Sequence, residues 1–245
     1  MDNTVARVAR EFRVRFAQVD SAQVIYYPRY FEIIADTFPE IRLDVTPCEL
    51  AVRFLRANRL GDDMRLYLDQ NATGWKVSGC MDGEEHFTVE QSAGARPMRQ
   101  EVPAFVAPER SLGDWQCDPR GRLHLSRYFE LLSDTVEQWF ENSLDAGFNE
   151  LHVRQGMGIP TVQFDTEIRT LPCTGDKVAT ALSPVAVGRS AVTLEHVLAR
   201  AGETLAVTRQ VIVFVSITGA LIQPVSVPEP LRRAMTAQLA GHRRQ

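Results

Sequence analysis

The segment FAQVDSAQVIYYPRYFEIIADTF (16–38) has an echo later in the chain, WQCDPRGRLHLSRYFELLSDTV (115–136). Shifted by 98, residues 18–37 and 116–135 agree at eight of twenty positions: Gln18/Gln116, Asp20/Asp118, Arg29/Arg127, Tyr30/Tyr128, Phe31/Phe129, Glu32/Glu130, Asp36/Asp134 and Thr37/Thr135. A second shift, of 114, sets LRANRLGDD (55–63) against RTLPCTGDK (169–177), so the second copy holds sixteen more residues, within NSLDAGFNELHVRQGMG. An internal repeat of this kind means one supersecondary unit built twice. The Pro-punctuated stretch ARPMRQEVPAFVAPERSL (95–112) separates the copies. The expected division is a first domain over 1–94, a linker over 95–108, a second domain over 109–235 and a C-terminal tail over 236–245.

Each copy shows the same order of elements. Residues 10–16 alternate, with Phe12, Val14 and Phe16 on one face and Arg13 and Arg15 on the other, the pattern of a half-buried strand. A helix follows, opened by Pro28, whose missing N–H costs nothing in a first turn. In the second copy Leu125, Phe129, Leu132, Val136 and Phe140 recur at helical spacing and form one apolar stripe. Strands are then expected at 50–56, 64–71, 75–81 and 85–91, and again at 162–171, 177–187, 189–199 and 204–217, with turns at Arg59–Gly61 and Asp82-Gly83. A strand, one long helix and an antiparallel meander make an α+β layer in which the sheet wraps the helix. The opening strand of the second copy has no clear place, because 105–117 contains Pro108, Gly113 and Asp114.

Bulk properties narrow the function. A formal net charge of −4 supplies no basic field for nucleic acid. Cys48, Cys80, Cys117 and Cys173 are scattered, with neither metal-ligand spacing nor a disulfide frame. The N-terminus lacks the apolar core of a signal peptide and no apolar run is long enough to span a bilayer, which points to the cytoplasm. No Gly-rich phosphate loop, HExxH helix or GxSxG elbow is present, so no metal or cofactor is implied.

With these residues in view, the chain resembles the hotdog-fold thioesterases of the 4-hydroxybenzoyl-CoA thioesterase family. The likeness rests on VRFAQVDSAQVIYYPRYF (14–31), a strand and an Asp followed by an aromatic-rich helix start, and on Asp118, Pro119, Gly121, Tyr128 and Phe129 in the second copy. AVRFLRANRLGDD and VGRSAVTLEHVL look like that family's second and fourth strands. Two departures stand out. Gln23 occupies a position where the family loop usually has Gly, restored as Gly121, and Arg122, His124 and Leu125 replace residues that are usually apolar or aromatic.

The resemblance implies two tandem hotdog domains, paired within one chain, that hydrolyse acyl-CoA or acyl-carrier-protein thioesters, with further assembly into a homo-oligomer. It also implies roles. Asp20 would act as general base or nucleophile with the backbone N–H of Tyr27 polarising the carbonyl, and Asp118 likewise with the N–H of Leu125. An Asp ahead of a helix is ordinarily a turn or capping residue, but its return in register argues for chemistry in at least one copy. Arg189 and Ser190, with Arg56 and Arg59, fall where relatives contact the CoA nucleotide, although surface arginines are common. Arg29, Glu32 and Asp36, repeated as Arg127, Glu130 and Asp134, read as a solvated or interface-lining charge ladder. The alternative makes Glu32 or Glu130 the working carboxylate. His124 reads as a local polar contact and His196, inside a strand, as structural. A hydratase would need an Asp/His pair that is not found, and a non-catalytic acyl-thioester-binding protein is the remaining alternative.

Overall fold

The structure, a computed structural model, describes residues 6–43, 46–94, 103–218 and 222–242. The first copy contributes β1 (Ala6–Arg13), α1 (Arg29–Thr37), β2 (Cys48–Phe54), β3 (Asp63–Gln70), β4 (Gly74–Met81) and β5 (Glu84–Ala93). The second contributes β6 (Phe105–Val106), β7 (Arg110–Ser111), α2 (Leu125–Leu144), β8 (Met157–Gly158), β9 (Thr161–Ile168), β10 (Lys177–Val187), β11 (Ala191–Arg200), β12 (Glu203–Val213), β13 (Val215–Ser216), β14 (Gln223–Pro224) and α3 (Glu229–His242). The class is α+β, with one large antiparallel sheet and helices, as expected. The β4–β5 turn places Asp82 and Gly83 at φ 53° and 81°, the left-handed pair that a two-residue hairpin demands.

The large sheet runs β1-β3-β4-β5-β2-β9-β12-β11-β10-β6, with β7 also on β10. From the β2–β9 join outward, the same succession appears in both directions. At that join Ala51 pairs with Asp165, and a shift of 114 carries position 51 onto 165. The helices meet in the same way. Phe31 stacks on its counterpart Phe129 with ring centroids 4.4 Å apart and planes 3° from parallel. Arg29 bonds Glu32 at 2.7 Å and reaches Glu130 at 3.7 Å, while Arg127 bonds Glu130 at 2.7 Å and reaches Glu32 at 3.8 Å. Contacts in which i meets j and j meets i are the mark of a twofold arrangement. The charge ladder therefore lines an interface.

Three stretches depart from the sequence expectations. The opening strand of the second copy begins inside the segment assigned to the linker: Phe105 and Val106 pair with Leu182 and Ala181, and Arg110 and Ser111, beyond that segment, with Val178 and Lys177. Pro108 falls between the two pieces, and a residue without an N–H interrupts a ladder. Residues 95–102 of that linker lie outside the described residues. The tail is likewise helical where described, since α3 runs through 236–242. It is anchored by buried Leu231 and Met235 beside Trp139 and Phe140, and the indole N–H of Trp139 donates to Gln238 Oε1 at 3.1 Å. Finally, the last strand ends at Val213, and Phe214, whose N–H still donates to the Ser190 carbonyl, separates it from the next strand. Val215–Ser216 then joins β8 and β14 in a separate small sheet.

One buried apolar cluster joins the copies, running from Phe31, Ile34, Leu50 and Val89 to Phe129, Phe164 and Ala206. A second lies under the distal half of α2, around Trp139, Phe140, Leu194 and Phe214. Buried polar groups also sit in the second copy. Tyr128 Oη meets Thr208 Oγ1 at 2.6 Å, and His196 Nε2 meets Gln210 Oε1 at 2.7 Å. Because the Gln210 amide N–H donates to Thr161 Oγ1 at 2.7 Å, its carbonyl oxygen faces His196, which fixes the Nε2–H tautomer. His196 Nδ1 has no partner among the described residues.

Burial pushes the His196 imidazole down to about 4. Between its unfolded value of about 6.5 and this folded value, the unfolded chain takes up a proton that the folded chain refuses. Stability from this group is therefore intact above the unfolded pKa and is lost as pH falls through the window. Urea unfolding should show wild type losing roughly 2 kcal/mol more than His196→Gln between about pH 7 and about pH 5. Equal losses in the two proteins would refute this assignment.

Candidate functional site

The acid loops have one construction, written twice. A short helical turn opens each, over Phe16–Gln18 and Asp114–Gln116. The repeated glutamine closes it: Gln18 Oε1 accepts the Arg15 N–H at 2.7 Å, and Gln116 Oε1 accepts the Gly113 N–H at 3.0 Å. The acid then knits the following residues together. Asp20 Oδ1 accepts N–H groups of Ala22 at 2.8 Å and Val24 at 3.3 Å, and Asp118 Oδ1 accepts those of Arg120 at 2.8 Å and Arg122 at 2.9 Å. The turn role accounts for the acid in both copies. It occupies only one carboxylate oxygen, and Oδ2 of each has no hydrogen-bond or ion-pair partner among the described residues. Asp20 is exposed and Asp118 half-buried.

Past the acid, Gln23 and Gly121 both adopt a left-handed backbone, at φ 60° and 78°. A Cβ on Gly121 would meet only Thr174 Oγ1, at 3.9 Å, so the demand for glycine comes from the backbone and not from space. The chain then doubles back. Val24 bridges to Arg59, and Arg122 to Cys173, while the N–H of Tyr26 donates to Gln18 O and that of His124 to Gln116 O, each at 3.0 Å. The next amides, of Tyr27 and Leu125, are thereby delivered to the start of a helix. Neither N–H has an acceptor among the described residues. Leu125 is the first residue of α2, one of the four whose N–H has no partner within a helix. The structure thus places each acid and its amide on one closed loop.

The surroundings of the two amides differ. Tyr27 lies against the other copy: its Oη donates to the Phe129 carbonyl at 3.4 Å and its ring is 5.1 Å from that of Phe164. The Tyr26 ring stands beside it, with centroids 5.4 Å apart. Burial is the main cause that raises both phenols above their ordinary value. Glu137, further along α2, is also raised, first by desolvation and then by Glu141 and Asp134. At the second amide His124 is exposed and Leu125 buried.

The other expected residues separate into near and far. Arg59 borders the first acid loop through its bridge to Val24, and its own N–H donates to Asp62 Oδ2 at 2.7 Å. Arg56 is paired with Glu84 at 2.8 Å. Arg189 and Ser190 sit in the β10–β11 turn. The Arg189 carbonyl takes the N–H of Val227 and the Arg232 guanidinium, and the Ser190 carbonyl takes the N–H of Phe214. No hydrogen bond among the described residues joins them to either acid loop. Glu32 and Glu130 are held by Arg29 and Arg127, which leaves little for the helix-borne base reading. A cavity of about 320 Å³ opens at the β2–β9 join, lined in part by Glu49, Glu90, Asp165 and Glu167, of which Asp165 pairs with Arg53 at 2.5 Å and Glu167 with Arg169 at 2.9 Å. Among the described residues, no group of His, Cys, Asp or Glu could hold a metal and no helix is long and apolar enough to cross a membrane.

Residues 112–235 match the family described as the thioesterase-like superfamily. No curated protein sequence matches the chain. Among solved structures, a putative oleoyl thioesterase from Lactobacillus plantarum superposes with a TM-score of 0.61 at 12% identity, covering 92% of this chain and 98% of that one. The 12:0-ACP thioesterase from Umbellularia californica gives 0.63 at 10% identity, over 85% and 94%. An acyl-ACP thioesterase from Bacteroides thetaiotaomicron gives 0.56 at 10%, over 85% and 97%. At these identities the likeness is one of fold.

The left-handed turn carries a direct test. Gln23→Gly should stabilise the protein by about 0.5–1 kcal/mol and Gly121→Ala should destabilise it by about 1 kcal/mol or more, both read as shifts in urea midpoint.

Proposed function

Because the chain belongs to the thioesterase-like superfamily, we propose that it hydrolyses acyl thioesters at the acid loops. The observation that carries this reading is the pairing, on one closed loop, of a carboxylate oxygen and a backbone N–H that both have no partner among the described residues. The carboxylate takes a proton from water as the water oxygen adds to the thioester carbonyl carbon. The N–H, a fixed dipole at a helix start, stabilises the negative charge that develops on the carbonyl oxygen. The C–S bond then breaks, the thiolate leaves and is protonated, and the free acid remains. Direct attack by the carboxylate, with hydrolysis of the resulting anhydride, gives the same products.

The reciprocal contacts of Phe31 with Phe129 and of Ala51 with Asp165 support a tandem double-hotdog chain that contains its own pair. On that reading the second domain begins before residue 105 and its last helix extends to 242. Acyl-CoA is the first substrate class on this reading, with Arg59 beside the first loop as a phosphate contact. A carrier protein is the second, favoured by the two solved acyl-ACP thioesterases that this fold matches over most of their length. Parallel assays with hexanoyl-CoA and hexanoyl carrier protein separate them.

The Asp20→Asn, Asp118→Asn double variant isolates the chemistry. Asn retains an Oδ1 that accepts the same loop N–H groups, so the fold should hold while the charge is lost. Turnover of acyl-CoA should fall about 100-fold or more with an unchanged thermal midpoint. Near-normal turnover would rule the mechanism out.

A further inference from the structure

We propose that Asn58, held between His86 and Tyr30, is a positioning residue for the Asp20 loop, and that this buried triad makes the first copy the working site. This rests on the thioester-hydrolysis reading above and names what fixes its acid and which of its two loops is used.

Asn58 is fully buried, and Tyr30 and His86 nearly so. Its Nδ2 donates to Tyr30 Oη at 2.6 Å, which leaves Oδ1 facing His86 Nδ1 at 2.7 Å, so Nδ1 carries the hydrogen. The side chain is thus tied at one end to α1 and at the other to β5. Its backbone serves the loop. The Asn58 carbonyl accepts the Ile25 N–H at 2.9 Å, Arg59 bridges to Val24, and the Leu60 N–H donates to Gln23 O at 3.0 Å. On its other edge the same piece of loop is bonded to the acid. The Asp20 N–H donates to Val24 O at 2.9 Å, Val19 bridges to Ile25, and Asp20 Oδ1 accepts the Val24 N–H at 3.3 Å. Residues 23–25 therefore lie between Asp20 and Asn58 and tie the acid to the triad, and the Tyr27 amide follows two residues on. Groups that hold one geometry before reaction lower a barrier, because no reorganisation is needed as the oxyanion forms.

The second copy repeats the frame without the triad. The Pro172 carbonyl accepts the Leu123 N–H at 2.9 Å, as that of Asn58 accepts Ile25. The Leu205 carbonyl takes the N–H groups of Arg169 and Thr170, as that of His86 takes those of Leu55 and Arg56. Pro172 and Leu205 thus stand where Asn58 and His86 do, and neither side chain can make a hydrogen bond. Tyr128, the counterpart of Tyr30, turns to Thr208, which donates to Thr166 at 2.9 Å, so its hydroxyl is tied to the sheet and not to the loop. What the second copy has instead is a partly exposed pair, Asp176 with Arg200 at 2.8 Å, and such pairs hold weakly. One copy closes this loop with apolar side chains at both stations. The buried polar groups of the other, costly to desolvate, are therefore not there to make the fold.

The test is a matched pair of variants in the full chain, Tyr30→Phe and Tyr128→Phe, with Asn58→Ala, Asn58→Asp and Asp20→Asn beside them. The probes are acetyl-, hexanoyl-, palmitoyl- and benzoyl-CoA and hexanoyl carrier protein, with thiol release followed by a chromogenic disulfide and a thermal midpoint taken for each variant. Each Phe variant removes one buried hydroxyl, and both should lower the midpoint. Only Tyr30→Phe should lower kcat, roughly tenfold on the best probe, with KM within about twofold. Asn58→Ala, which cuts both links, should lower kcat about tenfold to a hundredfold. Asn58→Asp, whose two oxygens accept from His86 and from Tyr30, should recover most of it. Wild-type kcat in Tyr30→Phe overturns the proposal. So do equal kcat losses in the matched pair, which mark a packing role, or a loss in Asn58→Ala that Asp does not rescue. If Asn58→Ala does not fold, the matched pair decides alone. Full turnover in Asp20→Asn also overturns it, since the chemistry then runs at the second loop. The parent reading falls, and the triad with it, only if the Asp20→Asn, Asp118→Asn double variant keeps full turnover or wild type hydrolyses none of the probes.

Discussion

The stacking of Phe31 on Phe129, over the β2–β9 join, is the contact on which the rest of the molecule depends. Both rings are buried, and truncating a ring of this size in a core costs about 3–5 kcal/mol. Around this stack Arg29, Glu32, Arg127 and Glu130 form a closed ring of opposite charges. These pairs are partly exposed, so their net contribution is small. Their value lies in alignment, because each helix start can sit in one register only against the other. The shared apolar cluster beneath them joins the core of the first copy to that of the second, which also has a cluster of its own under distal α2.

From that axis the loops follow. A helix start fixed against the opposite copy carries its unpaired amides with it, and the Asp upstream closes the loop that leads there. One carboxylate thus has two duties that do not compete, since the turn uses Oδ1 and leaves Oδ2 open. The repeated Tyr30 and Tyr128 show the same economy. Each ring fills the core while its hydroxyl finds a partner, Asn58 in one copy and Thr208 in the other. Duplicated residues here are kept wherever a buried or loop-closing bond needs them.

Where the copies diverge, the local physics differs as well. Pro108 cuts the opening strand of the second copy in two, while β1 runs eight residues unbroken. Gln23 accepts the left-handed turn that Gly121 takes without cost. The second helix runs on to Leu144, and the extra residues lead from there, through the left-handed Asp145, into the small sheet around β8. The extended helix in turn supplies the face on which α3 packs.

The chain by itself determined the duplication, the α+β class, the strand–loop–helix–meander order and the acid and amide of each loop. These are local matters, readable because periodicity and turn chemistry act over a few residues. Tertiary structure alone decided that Ala51 faces Asp165, that the Arg–Glu ladder crosses between copies, that 105–111 is an interrupted strand and that the tail is helical. Nothing in the periodicity of a helix says which distant side chain its exposed turn will touch, because that partner is set by how two separately encoded units pack.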